Sequence, residues 1–158
     1  LVGLDVRKPM LAEYLSLPNN GCLTSYLSDD SISINDLAVA SNYPNLTVIP
    51  TGTVPPNPSE LLQSDKLDAL FAQLRQEYDY IIVDSSPVTL VSDTFLLNRL
   101  VDMTLYVCRA KQTTYNMIDT LNQINEQKRL NNIVTVLNGV NSDNLGYGYG
   151  YNSSSNKR

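Results

Sequence analysis

Two aspartates close apolar runs in this sequence, and each run reads as a buried strand. Residues 78–83 form a stretch rich in aromatic and β-branched side chains that ends at Asp84 and continues into Ser85, Ser86 and Pro87. Leu1, Val2, Gly3 and Leu4 run in the same way into Asp5. A carboxylate closing a buried strand is costly unless it is paired or lies near a cation, so each needs a partner. One partner is the N-terminus of the following helix, because Asp and Ser are good caps. The other is a magnesium ion carrying nucleotide phosphates. Two such carboxylates in one crevice suit a single hydrated Mg²⁺, and a carboxylate beside an acceptor hydroxyl can take its proton.

Composition narrows the chemistry. The chain has 158 residues, enough for about one domain with a sizeable core. Sixteen acidic against eleven basic residues give a net charge of −5, which argues against a nucleic-acid surface. Histidine is absent, and Cys22 and Cys108 lie far apart without a CxxC pair, which excludes a zinc site or a Cys–His nucleophile. Two lone thiols suit a reducing compartment. No apolar run approaches the ~18 residues of a membrane span, and no signal peptide is expected. The chain opens without methionine on what reads as the second half of a strand, so it is expected to be a fragment with an N-terminal portion missing.

The elements that must position Asp5 and Asp84 alternate along the chain. After the strand at residues 1–4, Pro9 starts a short helix over 11–17, and short helices follow over 23–27 and 35–40. Residues 46–50 alternate as a strand. Residues 51–62 hold Pro55, Pro56 and Pro58, three prolines in four positions, and read as a stiff loop that starts a helix at Pro58-Ser59-Glu60. Leu67, Leu70, Phe71 and Leu74 recur at helical spacing within an amphipathic helix over 65–76. Beyond Asp84, Ser92-Asp93 caps a helix reaching Leu100. A strand over 103–108, a helix over 113–129 with Met117, Leu121 and Ile124 on one side, and a strand over 133–137 ending at Asn138-Gly139 complete the pattern. This order implies an α/β fold, a mostly parallel sheet covered on both faces in three α/β/α layers. Ligands of such sheets sit outside the carboxyl ends of the strands. Residues 1–143 are expected to form the folded part. Residues 144–158, poor in aliphatic side chains, are expected to be a flexible tail carrying three of the ten tyrosines.

Several of these motifs together resemble the cytoplasmic catalytic domain of the bacterial tyrosine kinases, P-loop autokinases of the MinD/ParA type that accompany capsular and extracellular polysaccharide export. Gly3-Leu4-Asp5-Val6-Arg7-Lys8-Pro9 is similar to their second Walker motif, normally aliphatics followed by Asp-x-Asp-x-Arg. Residues 54–62 match a family loop almost residue for residue, residues 78–87 are like their Walker B segment, and Tyr147, Tyr149 and Tyr151 are like their C-terminal tyrosine cluster. The resemblance implies that Asp84 holds Mg²⁺ through water, that Asp5 contacts Mg²⁺ or the acceptor hydroxyl, and that Arg7 sits beside the ATP phosphates. Asn138 resembles the asparagine that reads the adenine edge in related ATPases. The three tail tyrosines would be phosphate acceptors, used in trans within a homo-oligomeric ring, and each phosphate would add about −1.5 to −2 charge and loosen it.

The resemblance further implies a cytoplasmic domain of an inner-membrane protein, attached to the membrane through upstream segments. Its partners would be the polysaccharide export and polymerisation machinery and an opposing tyrosine phosphatase. Two positions depart from the pattern. Gly3 stands where the family's first acidic residue would be. None of the five lysines is followed by Ser or Thr, so the Gly-x-x-x-x-Gly-Lys-[Ser/Thr] loop that cradles phosphates is absent from this chain and is expected upstream of Leu1. The fragment alone is therefore expected to be inactive. Two other readings stand beside the kinase: a MinD/ParA-like ATPase, and a non-catalytic pseudo-kinase regulating polysaccharide assembly.

Overall fold

The computed structural model describes residues 1–17, 21–88 and 92–140. β1 (Val2–Gly3) lies parallel to β4 (Val83–Asp84), with Val2 opposite Val83 and Gly3 opposite Asp84. The Val2 N–H donates to the Ile82 carbonyl at 2.8 Å and the Leu4 N–H to the Asp84 carbonyl at 2.7 Å. On the other flank the Gly3 N–H donates to the Ile49 carbonyl at 2.9 Å, which carries the line of β3 (Thr47–Val48) alongside β1. β2 (Val39–Ala40) pairs antiparallel with β3. The first half of the sheet therefore runs β2, β3, β1, β4.

Helices α1 (Leu11–Tyr14), α2 (Leu23–Ser28), α3 (Pro58–Leu62), α4 (Asp65–Glu77) and α5 (Asp93–Leu96) connect these strands, and α5 tightens into a 3₁₀ turn over Leu97–Leu100. α4 follows the sequence periodicity. The Ser64 hydroxyl accepts from the Leu67 N–H at its start, Asp65 and Asp68 sit favourably in the first turn, and Leu67, Leu70, Phe71 and Leu74 are buried. Each fully buried leucine contributes about 1.5–3 kcal/mol over an exposed one. These side chains pack with Val2, Leu4, Val6, Leu23, Leu62 and Leu97 in one apolar cluster. Arg99 clasps the cluster's rim, donating to the Asp68 carboxylate at 2.9 Å and to the Leu62 carbonyl at 3.0 Å.

Residues 35–40 do not form the expected helix. A 3₁₀ turn over Ile34–Asp36, with the Ser33 hydroxyl accepting from the Asn35 N–H, gives way to β2. Six residues are too few to nucleate a helix on their own, and the open side of β3 offers Val39 and Ala40 hydrogen bonds that a single helical turn cannot. The helix after Asp84 is likewise shorter than its pattern.

The second half of the sheet stands apart. β5 (Thr104–Arg109) and β6 (Ile133–Asn138) pair in parallel over six residues each, joined by α6 (Tyr115–Glu126). α6 begins at Thr114, whose hydroxyl accepts from the Met117 N–H, and it covers one face with Leu121 and Ile124. Met117 does not join them: it is 39% exposed. The other face is open, with Leu105 and Val107 at 60% and 62% exposure and their partners Val134 and Val136 at 44% and 43%. The run before Asp84 departs from its reading in the same way. Only Val83 and Asp84 are paired, while Tyr80 and Ile82 are 88% and 61% exposed. Among the described residues no hydrogen-bonded pairing joins β4 to β5, so the sheet lacks the continuous double coverage that its apolar strands imply.

Gly3 is a packing requirement. A Cβ there would lie 2.5 Å from the Thr51 Oγ1 and 3.1 Å from the Thr51 nitrogen, and Thr51 is itself buried. The missing acidic residue therefore has no room in this chain. Gly3→Asp is expected to lower stability by about 1–3 kcal/mol through overpacking, read as a lower midpoint in urea denaturation.

Candidate active site

The parallel register of β1 and β4 brings Asp5 and Asp84 to one end of the sheet. Asp5 is held firmly. Its Oδ1 accepts from the Ser86 hydroxyl at 2.6 Å and from the backbone N–H groups of Lys8 and Arg7 at 3.0 and 3.2 Å, an Asx-type turn that ends the strand. Its Oδ2 accepts no hydrogen bond among the described residues. Asp84 is different: its side chain has no hydrogen-bond partner among the described residues, and it serves as no helix cap. Partial burial, and after it the charge of Asp5, push its carboxyl above the ordinary carboxylate range.

Such an arrangement fits a hydrated divalent cation. A carboxylate whose proton affinity is raised by burial and by a neighbouring carboxylate, as that of Asp84 is, is relieved by a positive charge. Among the described residues no group of three or more His, Cys, Asp or Glu gathers to enclose a metal. Asp5 and Asp84 are the residues that could hold such a cation, with its other positions left to water.

Arg7 lies next to this pair but is already engaged. Its Nε donates to the Asp93 Oδ2 at 2.5 Å, and the Asp93 Oδ1 accepts from the Ser59 hydroxyl at 2.9 Å. The hydrogen bond from Arg7 holds the Asp93 carboxyl below its usual range, with the Ser59 hydroxyl adding to the effect against the cost of burial. Asp93 is only 2% exposed, whereas the Arg7 side chain is 46% exposed. The Asp93 side chain does not cap a helix, and neither does that of Ser92. It ties the first turn of α3, at the end of the proline loop, to the turn after β1. A further bond, from the Thr94 hydroxyl to the Ser86 carbonyl at 2.6 Å, fastens α5 to the residues after Asp84.

Sequence reading missed Asp93, Ser59 and Ser86 as members of this cluster. Ser86 could have been found in the Asp84-Ser85-Ser86-Pro87 motif. Asp93 could not, because Ser-Asp before an apolar run reads equally well as a cap. Asn138 closes β6, where its Oδ1 accepts from the Gly139 N–H at 2.7 Å and its carbonyl from the Ala110 N–H at 2.9 Å. It is exposed, and no hydrogen bond links it to Asp5, Asp84 or Arg7 among the described residues. Tyr147, Tyr149 and Tyr151 lie outside the described residues.

This fold, with two carboxylates at the ends of adjacent parallel strands, is that of the MinD-like P-loop ATPases and of kinase domains related to them. The MinD cell-division ATPase of Pyrococcus furiosus superposes with a TM-score of 0.64 over 86% of this chain and 56% of its own at 17% identity, a likeness of fold alone. The kinase domain of the Escherichia coli tyrosine kinase ETK superposes with a TM-score of 0.82 at 32% identity, over 96% of this chain and 59% of that one. In sequence, the tyrosine-protein kinase CpsD of Streptococcus agalactiae serotype III is 33% identical over 126 residues, 80% of this chain and 54% of the relative. No family model matches the sequence. The chain is a homologue of the bacterial tyrosine-protein kinases with the α/β fold of their kinase domains, and it spans about half the length of the Streptococcus agalactiae relatives that it matches.

Two substitutions test the electrostatics. A raised folded-state pKa means that ionised Asp84 disfavours the fold at neutral pH, and that this penalty disappears as pH falls below the unfolded-state value near 3.9. Asp84→Asn is expected to melt higher than the parent at pH 7, with the two curves converging at about pH 3 in thermal scans. Asp93 has the opposite sign, since its depressed pKa gives stability above about pH 4 that is lost as pH drops through the folded-state value. Asp93→Asn is expected to cost about 1–3 kcal/mol at pH 7, the range of a charge-assisted hydrogen bond, and less in acid.

Proposed function

We propose that this chain is the C-terminal part of the kinase domain of an ATP-dependent protein-tyrosine autokinase that regulates capsular or extracellular polysaccharide synthesis and export. The observation that carries the reading is the pair of aspartates at the ends of β1 and β4, with the Asp84 carboxyl raised by its burial and by Asp5. Its support in sequence is the likeness to relatives named as tyrosine-protein kinases.

Mg²⁺, when bound, would neutralise the negative charge of ATP phosphates during transfer. Asp84 is assigned to hold it through water, and Asp5 to share it or to accept the proton of the attacking hydroxyl. The Ser86 hydroxyl and the Arg7 and Lys8 amides orient Asp5 for either task. Arg7, held through its Nε by Asp93 and with its side chain 46% exposed, is assigned to the ATP phosphates. Asn138 is assigned to the adenine edge. Tyr147, Tyr149 and Tyr151 are the proposed acceptors, phosphorylated between subunits of a homo-oligomer on the cytoplasmic side of a membrane. The export machinery and a tyrosine phosphatase are the proposed partners. The phosphate-binding loop comes from polypeptide outside this chain, so residues 1–158 alone are expected to bind ATP more weakly than micromolar by calorimetry.

A second reading rests on Gly3, where the packing against Thr51 leaves no space for the family's first carboxylate. With one acidic group fewer, the protein would act as a pseudo-kinase that regulates assembly through contacts. Phosphotyrosine mapping separates the readings. The protein extended through its phosphate-binding loop is incubated with Mg-ATP beside an Asp84→Asn control. Phosphate on any of the three tail tyrosines, lost at least 100-fold in the control, is the expected result. Free phosphate without phosphotyrosine would instead indicate an ATPase, and no turnover would favour the pseudo-kinase.

A further inference from the structure

Three consecutive residues at the start of α5 each hold a different segment near the carboxylate pair. Asp93, only 2% exposed, accepts from the Arg7 Nε on one oxygen and from the Ser59 hydroxyl on the other. The Thr94 hydroxyl donates to the Ser86 carbonyl at 2.6 Å, and the Ser86 hydroxyl donates in turn to the Asp5 Oδ1, also at 2.6 Å. Phe95 carries the Arg129 guanidinium over its ring at 3.7 Å, so the same turn is held from the β5–α6–β6 unit. None of these contacts serves α5 itself, and its N-cap, Ser92, makes no side-chain bond to the helix.

Asp93 and Thr94 thereby reach the turn after β1 by two routes. That turn is closed from within by the Asp5 Oδ1, which accepts from the Arg7 and Lys8 amides. From outside it has two ties, Asp93 on Arg7 and Ser86 on Asp5. Each tie occupies one side of a two-sided group. Among the described residues the Asp5 Oδ2 accepts no hydrogen bond and the terminal nitrogens of Arg7 donate none. A guanidinium is a planar fork with five N–H donors, so it can be anchored through Nε and still bind through its terminal nitrogens. Side chains left untied on a turn sample several rotamers, whereas reacting groups need placement within about 0.5 Å.

We propose that Asp93 and Thr94 are positioning residues that act as one joint. Asp93 aligns Arg7, and Thr94 aligns Asp5 through Ser86. One turn of chain thus sets the group assigned to the ATP phosphates against the group assigned to the cation or the acceptor hydroxyl. Because the two residues are neighbours on a single helical turn, a shift of α5 moves both ties together. The roles of Arg7 and Asp5 rest on the kinase reading, whereas the joint rests on the hydrogen bonds alone.

Hydrogen exchange on the 158-residue chain reads the joint without turnover. Thr94→Val removes the hydroxyl at nearly constant shape and is expected to speed exchange of the Arg7 and Lys8 amides at least fivefold. The Val2 and Leu4 amides, which donate to the Ile82 and Asp84 carbonyls, should be unchanged, and Thr94→Ser should restore the parent rates. Kinetics follow on the protein extended through its phosphate-binding loop, with rates referred to the folded fraction by circular dichroism. Asp93→Asn is expected to raise KM for ATP at least tenfold with kcat within threefold, and Thr94→Val to lower kcat at least tenfold with KM within threefold. In a Ser86→Ala background Thr94→Val should add less than twofold, since its route to Asp5 is gone. Unchanged exchange at Arg7 and Lys8, losses that vanish once corrected for folded fraction, or full additivity with Ser86→Ala would each overturn the proposal. A parent protein that forms no phosphotyrosine would sink the kinase reading instead, and the exchange rates would then decide the joint alone.

Discussion

The parallel pairing of β1 with β4 places two carboxylates of like charge side by side, and the surrounding structure is arranged around that conflict. Backbone hydrogen bonds through Val2, Ile82, Leu4 and Asp84 set the register, and the register sets the aspartates. One of them is satisfied locally: Asp5 receives hydrogen bonds from a serine hydroxyl and two backbone amides. Asp84 receives no such help from the described residues, so burial and its neighbour raise its proton affinity. Perturbed carboxylates at a strand end are where function is first sought.

Around this pair the polar contacts form a chain of supports. Asp93 links the proline loop, through Ser59, to Arg7 in the turn after β1, while Thr94 holds the segment after Asp84. Three segments distant in sequence thus meet beside the carboxylates. The rigidity of Pro55, Pro56 and Pro58 limits the entropy lost when α3 is brought to Asp93. Arg7 is half exposed while Asp93 is buried, so the guanidinium keeps contact with solvent without giving up its anchor.

Stability is divided unequally between the two halves. The main cluster gathers α2, α3, α4, the turn after α5, β1 and the residues beside β3. The β5–α6–β6 unit buries little beyond Cys108, Leu121, Ile124 and Leu130, and leaves its second face to water. It is joined to the rest by Asn98, Asn131 and Asn132, and by Arg129 over the Phe95 ring at 3.7 Å. Apolar strands in that state are incompletely covered, and the open edges of β4 and β5 are the structural record of it.

Residue pattern alone determined the alternation of strands and helices, the buried stripe of α4, the α/β class and the two acidic strand ends. These depend on local periodicity and on short-range propensity, which a linear chain carries in full. The resemblance to the bacterial tyrosine kinases marked Gly3 and the missing phosphate loop as departures. Tertiary structure decided the rest. The pattern before Asp84 does not reveal that only two residues pair, since an apolar run reads the same whether or not a neighbouring strand is present. Ser92-Asp93 reads as a cap, and only the approach of Arg7 and Ser59 from residues far away makes Asp93 a buried ionic anchor. That a side chain at Gly3 would crowd the fold follows from Thr51, forty-eight positions along the chain, whose Oγ1 lies 2.5 Å from where a Cβ would stand. Contacts between distant segments are set by how the layers close, and sequence spacing does not encode that distance.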